Sequence, residues 1–312
     1  MSSKRLPKVL YKYRGYDTRT LRMLERPELY YADPASFNDP FDCQATVGKT
    51  KSISRARELL TELVDSNNPK KTDAGQKRIE DIDYQSTDDS GFYSRKTNLT
   101  DRKLSLYINE IDIEVSKSFH NTGVLSLCAS WDNVLMWSHY GDLHNGICIG
   151  YSTKNNLCDS LRPVIYTDRR ELSFQDVWKW RMNNDSMSEK SVSDHFFYSK
   201  AKNWSYEKEW RDLRRPPDSK QSGVGLAPYT PFEISEIVFG LHCDNSIIAS
   251  ISKLFGQEWK GIKFYKVHTV GDSFNIRRTR VDISEYIELS PGHSGVSLLK
   301  GFQRIKEKSS SE

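Results

Sequence analysis

Short runs of β-branched and aromatic residues lie on both sides of a long polar stretch at residues 48–118, and this arrangement limits the fold more than any other feature. Before it come residues 9–14 (VLYKYR) and 28–32 (ELYYA); after it come 123–129, 146–151, 164–166, 236–240 and 262–267. Each run is bounded by glycine, proline or Asx turn signals, as strands are. The two runs before the polar stretch cannot bury a core by themselves, so one sheet must draw strands from both sides of it. The spacing predicts an α+β fold: a mixed, largely antiparallel sheet with flanking helices, in a single domain over residues 1–290. The polar stretch, with helical patterns around 54–64 and 101–119 separated by breaks at 67–69 and 86–91, reads as a helical insertion at about 48–118. Further helices are expected at 21–25 behind the caps Asp17 and Thr18, across 171–200 and at 245–255, with a short helix or turn at 133–140. A polar tail at 291–312 is expected to fray.

Composition narrows the function classes. Hydrophobic residues make up 37% and aromatic residues 12%, enough for a folded core in which large rings replace some of the aliphatic area. The 46 basic and 42 acidic residues nearly balance, so the chain carries no global electrostatic footprint for nucleic acid. Cys43, Cys128, Cys148, Cys158 and Cys243 are scattered without a C-x-x-C pair, which argues against a zinc site or a disulfide framework. His139 and His144 do not share a helical face and form no H-E-x-x-H pattern, so no metal is expected. No apolar run resembles a signal peptide or a membrane span, and the expected compartment is the cytoplasm, with no membrane partner.

The stretch KNWSYEKEWR at 202–211 sets charges among rings. In a strand, side chains two apart share a face, so Glu207, Glu209 and Arg211 point one way and Tyr206, Lys208 and Trp210 the other. One reading is a salt-bridge row on a solvated face. The other is a partly dried site in which burial and like charge raise a carboxylate pKa. The loop SFNDPFD at 36–42 offers Asn38, Asp39 and Asp42, either as ties of an ordered turn or as lining of the same cleft. In the stretch MWSHYGDLHNG at 136–146, Trp137, Ser138, His139 and Tyr140 make a polar, ring-lined wall suited to a planar ligand. Arg14, at the end of the first strand, suits bidentate grip of a phosphate or carboxylate, or a plain surface charge. Neither a P-loop, nor a dinucleotide glycine fingerprint, nor a G-x-S-x-G elbow occurs.

Taken in order, LYKYR at 10–14, FNDPFD at 37–42, MWSHY at 136–140 with His144 and Gly146, and Trp204 with YEKEWR at 206–211 resemble the bacterial domain of unknown function 2971 family (DUF2971). A looser resemblance is to ADP-ribosyltransferases, in which an early arginine or histidine, a central serine or tyrosine and a later E-x-E follow in that order. Arg14, Ser138 or Tyr140, and Glu207 with Glu209 fall in that order here, although the Ser-Thr-Ser run of the arginine-modifying subgroup is missing. That resemblance implies NAD as substrate, no permanently bound cofactor, and a transferase or NAD glycohydrolase activity. Glu209 would face the oxocarbenium-like ribose and Glu207 would polarise an acceptor. Arg14 would hold the pyrophosphate, and Tyr140 or Trp137 would stack on nicotinamide. Tyr13, Asn38, Asp39, His139 and Arg211 would complete one shared concave site. The competing class is a non-catalytic binding module of a prophage or phage-defence system. For it, a basic strip of Arg169, Arg170, Arg211, Arg214 and Arg215 would mark a nucleic-acid or protein partner.

Overall fold

The computed structural model describes residues 5–26, 28–68, 74–85, 99–154, 161–216, 221–227, 233–255 and 261–287. In chain order the first elements are β1 (Val9–Arg14), α1 (Thr18–Glu25), β2 (Leu29–Tyr31), α2 (Ile53–Asn67), α3 (Ala74–Gln85) and α4 (Leu99–Ser118). The middle of the chain gives β3 (Gly123–Cys128), α5 (Val134–Tyr140), β4 (Ile147–Ser152), β5 (Arg162–Pro163), β6 (Ile165–Thr167), α6 (Phe174–Asn183), α7 (Ser186–Tyr198) and β7 (Ser199–Ala201). The last part gives β8 (Glu209–Arg214), β9 (Gly225–Ala227), β10 (Glu233–Phe239), α8 (Asn245–Phe255), β11 (Lys263–Val270), β12 (Ser273–Arg280) and α9 (Ser284–Ile287).

Among the described residues, eight strands form one sheet in the order β12-β11-β10-β4-β1-β3-β8-β5. Its neighbours run antiparallel except for β10 and β11, which are parallel. The fold is therefore α+β, with strands from both sides of the polar segment in one sheet. The pleat explains the burial. In β4, Ile147, Ile149 and Tyr151 join the apolar layer that includes α8, whereas Cys148 joins the opposite layer around Trp137. Both faces are covered, so the strand reads as a nearly continuous apolar run.

Helices α2, α3, α4, α6 and α7 supply a separate helical core. Ala56, Leu59, Leu60 and Leu63 form the buried stripe of α2, and Tyr107, Ile111 and Val115 that of α4. Ser52 starts α2 by accepting the Arg55 amide at 3.2 Å. The described residues of the segment at 48–118 thus form helices outside the sheet, and α3 is an additional helix that the sequence pattern did not separate. No helix among the described residues is long and apolar enough to cross a membrane.

Two expectations are corrected. Residues 202–211 are not one strand: Lys202–Glu207 is a 3-10 turn, Lys208 takes a left-handed conformation (φ 45°), and the strand begins only at Glu209. The turn is held by the Asn133 amide, which donates to the Tyr206 carbonyl at 2.9 Å, and by the packing of Trp204 on Tyr206. The run at 164–166 does not join the main sheet: it becomes β6, which pairs with β7, while β5 just before it forms the sheet edge. Strand β12 is an additional edge strand whose alternation holds only Phe274 and Ile276 as apolar residues before its arginines, charges that also guard an edge. Cys158, the break at 86–91 and the tail at 291–312 lie outside the described residues.

One irregularity in the sheet positions everything that follows. Strands β1 and β4 share six paired positions, as do β3 and β8, but β1 and β3 share only Tyr11 with Cys128. Val124 of β3 instead exchanges both backbone hydrogen bonds with Ala32, at 2.9 Å each. The chain after β2 is thus wedged where β1 would continue its ladder, and the sheet is parted between its two central strands.

Gly146 carries the turn from α5 into β4 against β1. A Cβ there would stand 2.1 Å from the Arg14 carbonyl oxygen, so the backbone would have to move. Gly146→Ala is expected to lower stability by about 1–3 kcal/mol, the usual cost of forcing volume into a packed interior. Urea denaturation checks this, and an unchanged midpoint would show that the turn has slack.

Candidate functional site

The parting of β1 from β3 opens a cavity of about 550 Å³. Tyr11, Lys12, Tyr13 and Arg14 line it from β1, and Val124, Ser126, Leu127 and Cys128 line it from β3. Phe37, Asn38 and Asp42 come from the loop after β2, Met136, His139 and Tyr140 from α5, and Lys200, Glu207, Glu209 and Arg211 complete the wall.

That last wall is a buried ionic cluster. Arg211 is 0% exposed, and every N–H of its guanidinium is engaged. Its terminal nitrogens donate to both Asp42 oxygens at 2.9 and 2.5 Å, and Nε and Nη2 donate to the two Glu209 oxygens at 2.7 and 3.0 Å. The Phe197 carbonyl accepts from Nη1 at 2.7 Å. Lys200 Nζ stands 2.5 Å from Glu207, 3.2 Å from Glu209 and 3.4 Å from Asp42. An ammonium therefore occupies the centre of the carboxylate group where a bound cation would otherwise sit.

Electrostatics separate the two glutamates. Burial alone would raise the Glu209 pKa, but Arg211 and Lys200 outweigh it and hold the carboxyl well below the usual carboxylate range. Glu207 has Lys200 but no guanidinium. Burial, together with the nearby Glu209 charge, leaves its pKa raised above the ordinary value despite that lysine. Lys200 is pushed down by burial, yet Glu209, Glu207 and Asp42 together keep it firmly protonated. A hydrogen-bonded chain completes the Glu207 environment. The Asn38 amide donates to the Tyr140 hydroxyl at 3.1 Å, and that hydroxyl donates to Glu207 Oε1 at 2.8 Å. Burial and Glu207 both raise the Tyr140 pKa, so the phenol stays a donor.

Arg14 forms the cationic side of the cleft, and Lys12 lies beside it. Lys12 Nζ donates to the Ser126 carbonyl of β3 at 2.7 Å, replacing a ladder bond that the parted strands cannot make. Arg14 Nε is buried and has no hydrogen-bond partner. At the mouth, the exposed His139 ring lies 6.2 Å from Tyr140, 6.5 Å from Trp204 and 6.3 Å from Tyr206.

Of the residues singled out in the sequence, Arg14, Tyr13, Asn38, His139, Tyr140, Glu207, Glu209 and Arg211 converge on this cavity. Asp39, Trp137 and Ser138 are not among its lining residues. Asp39 is buried and accepts the Phe41 amide at 2.9 Å, tying the loop. Trp137 is 0% exposed, packs edge-on to Tyr13 and donates from Nε1 to the Trp131 carbonyl at 2.8 Å, so its faces are not available to stack on a ligand in the cleft. Ser138 donates back to the Val134 carbonyl at 3.1 Å and stands 3.1 Å from His144 Nε2. Asp42, offered by the sequence either as a turn tie or as cleft lining, lines the cavity, as do Lys12 and Lys200, which the sequence pattern did not single out. Lys12 had a signal, a lysine amid the aromatic alternation of a central strand, where lysine is disfavoured. Lys200, at a helix-to-strand junction, had none.

Residues 136–211 match the model of the family described as "Protein of unknown function (DUF2971)". The match begins in α5 and ends at Arg211, so it contains Tyr140, Lys200, Glu207 and Glu209, with Arg14, Asn38 and Asp42 outside it. No curated protein and no solved structure matches the chain.

The cluster sets a pH dependence of stability. Glu209 is depressed in the fold, so its contribution is fully present above its ordinary value of 4.5 and is lost as pH falls toward its folded value. Glu209→Gln is therefore expected to lower the thermal midpoint strongly at pH 7, because removing one partner from a buried pair costs about 3–5 kcal/mol. The gap to the wild-type protein should narrow at pH 3. Parallel melting curves for the two proteins across this range check the sign, and a gap independent of pH would refute the assignment.

Proposed function

We propose that the cleft is a small-molecule site that takes an anionic nucleotide, with NAD the candidate substrate, and that Glu207 assists cleavage of its nicotinamide–ribose bond. The observation that carries this reading is the carboxylate of Glu207. It lines a half-open cleft within the usual size range of ligand pockets, and Lys12 and Arg14 line the same cleft. Glu209 is the less suited of the pair, since Arg211 clamps both its oxygens and holds its proton affinity low, whereas Glu207, bound by Tyr140 and Lys200, keeps a raised one. In this reading Glu209 and Lys200 are positioning residues.

The chemistry follows from charge. As the C1′–N bond breaks, its electron pair leaves with the nicotinamide nitrogen and positive charge develops on the ribose. A carboxylate facing that carbon stabilises the charge in a water-poor site. When water or another acceptor adds at C1′, its proton passes to Glu207, whose raised proton affinity makes it a better base than an ordinary glutamate. The Tyr140 hydroxyl, fixed by Asn38, orients the carboxylate. The Arg14 guanidinium suits the phosphate oxygens.

The nucleic-acid alternative draws less support. Of the arginines that would form a basic strip, Arg211 is fully buried and ion-paired, Arg214 donates to the Gly223 and Leu226 carbonyls, and Arg215 donates to Ser193. Arg211 and Arg214 are thus engaged within the fold, while Arg169, Arg170 and Arg215 are exposed.

The test is incubation of the purified protein with NAD, followed by chromatography for free nicotinamide, alongside calorimetric binding of NAD. Glu207→Gln is expected to lower nicotinamide release by about 10²–10³ while NAD binding persists, the usual cost of deleting one well-placed electrostatic group. Wild-type protein that neither binds NAD nor releases nicotinamide would overturn the proposal.

A further inference from the structure

Lys12 departs from the behaviour expected of a lysine. It lies in the middle of β1, paired through its backbone with Ile149 of β4, and its side chain crosses the parting of the sheet to the Ser126 carbonyl. Lysines in such central positions are normally paired with a carboxylate. Among the described residues, no carboxylate lies within ion-pairing distance of Lys12, and the carboxylates of the cleft are held by Lys200 and Arg211 instead. Its neighbour on the same strand face is Arg14, another cation, whose Nε is buried and without a partner. A desolvated amine beside a second cation is the environment that makes a lysine nucleophilic.

We propose that Lys12 is a reactive amine that forms an imine with an aldehyde or ketone carrying a phosphate or carboxylate group, the anionic group being held by Arg14. In that step the Lys12 nitrogen lone pair attacks the carbonyl carbon, and the carbonyl oxygen takes a proton from the nitrogen to give a carbinolamine. Loss of water then leaves the C=N bond, so no oxidant or further reactant is needed. Open-chain sugar phosphates belong to this chemical class. The inference rests on the cleft admitting a small molecule, but not on cleavage of a nicotinamide–ribose bond.

The electrostatics agree with the geometry. Burial, with Arg14 adding to it, pulls the Lys12 pKa down to about 7, against the opposing charges of Glu209 and Glu207. The other groups near it do not restore an ammonium at neutral pH. The Cys128 thiol of β3 is pushed up to about 12 by burial and stays neutral, the Tyr140 phenol is raised further, and Lys200 is a cation. A substantial share of Lys12 is therefore a free amine where surface lysines are protonated.

The experiment is reductive trapping of the full-length protein with pyridoxal 5′-phosphate or pyridoxal and cyanoborohydride at pH 7, followed by peptide mapping. Lys12 is expected to be labelled before any other lysine, with a rate that levels off just above pH 7 rather than climbing towards pH 10. The phosphate-bearing aldehyde should react roughly tenfold faster than pyridoxal, as a buried charge-assisted contact would give. Arg14→Gln should narrow that difference. Label spread over surface lysines with Lys12 unmodified, or Lys12 reacting only near pH 10, would overturn the proposal. Because the labelling needs no NAD, its failure beside intact nicotinamide release would remove this inference alone. Labelling without nicotinamide release would remove only the glycosidic reading.

Discussion

The fully buried Arg211 is the constraint on which the rest of the site depends. A guanidinium taken out of water costs several kcal/mol unless each of its donors finds an acceptor. Asp42 and Glu209 supply two of these acceptors each, and the Phe197 carbonyl supplies the fifth. These acceptors come from the loop after β2, from the end of α7 and from β8 itself, so satisfying one side chain fixes three distant segments. Lys200 then ties the 3-10 turn to the same point through Glu207. Folding the cluster correctly is thus equivalent to building one wall of the cleft.

The opposite wall arises from an interruption rather than from a contact. Ala32 takes the backbone groups of Val124, and β1 loses its partner beyond Tyr11. A parted central sheet leaves carbonyls that need donors, and a lysine long enough to span the parting meets that need for Ser126. The α5 helix covers the parting from one side. Its start is capped by Asn133, which accepts the Leu135 and Met136 amides at 2.9 and 3.2 Å and reaches the turn that carries Glu207 with its own amide. One residue therefore sets both the helix that presents Tyr140 and the turn that presents its acceptor.

Much of this was legible in the sequence where a local rule governs. Strands β1, β3, β4, β10 and β11 and helix α8 follow from period and punctuation, and the Asp17 cap of α1 follows from its side-chain chemistry. The convergence of Arg14, Asn38, His139, Glu207 and Glu209 was reachable because polar groups set among rings need partners. What could not be read was long-range. Asp42 looks like any Asx turn residue until Arg211, far along the chain, is seen to hold it. Trp137 looks like a ligand platform until Tyr13 and the Trp131 carbonyl are seen to enclose it. The alternation argument paired Glu209 with Arg211 correctly. It failed at Glu207, because the left-handed Lys208 breaks the strand between the glutamates.

That break is what makes the two carboxylates unequal. Had residues 205–211 run on as a strand, Glu207 and Glu209 would share a face at a two-residue spacing and compete for the same guanidinium. The turn instead carries Glu207 out of reach of Arg211 and leaves it to share Lys200 with Glu209 and Asp42. Three carboxylates then face two cations, and the carboxylate without a guanidinium is the one whose proton affinity rises. A positive charge developing in the cleft would complete the balance at Glu207, while Arg14 would complete it for an anionic group. A cleft polarised in this way favours a ligand that carries both, and it discriminates against one that is uniformly acidic or uniformly basic.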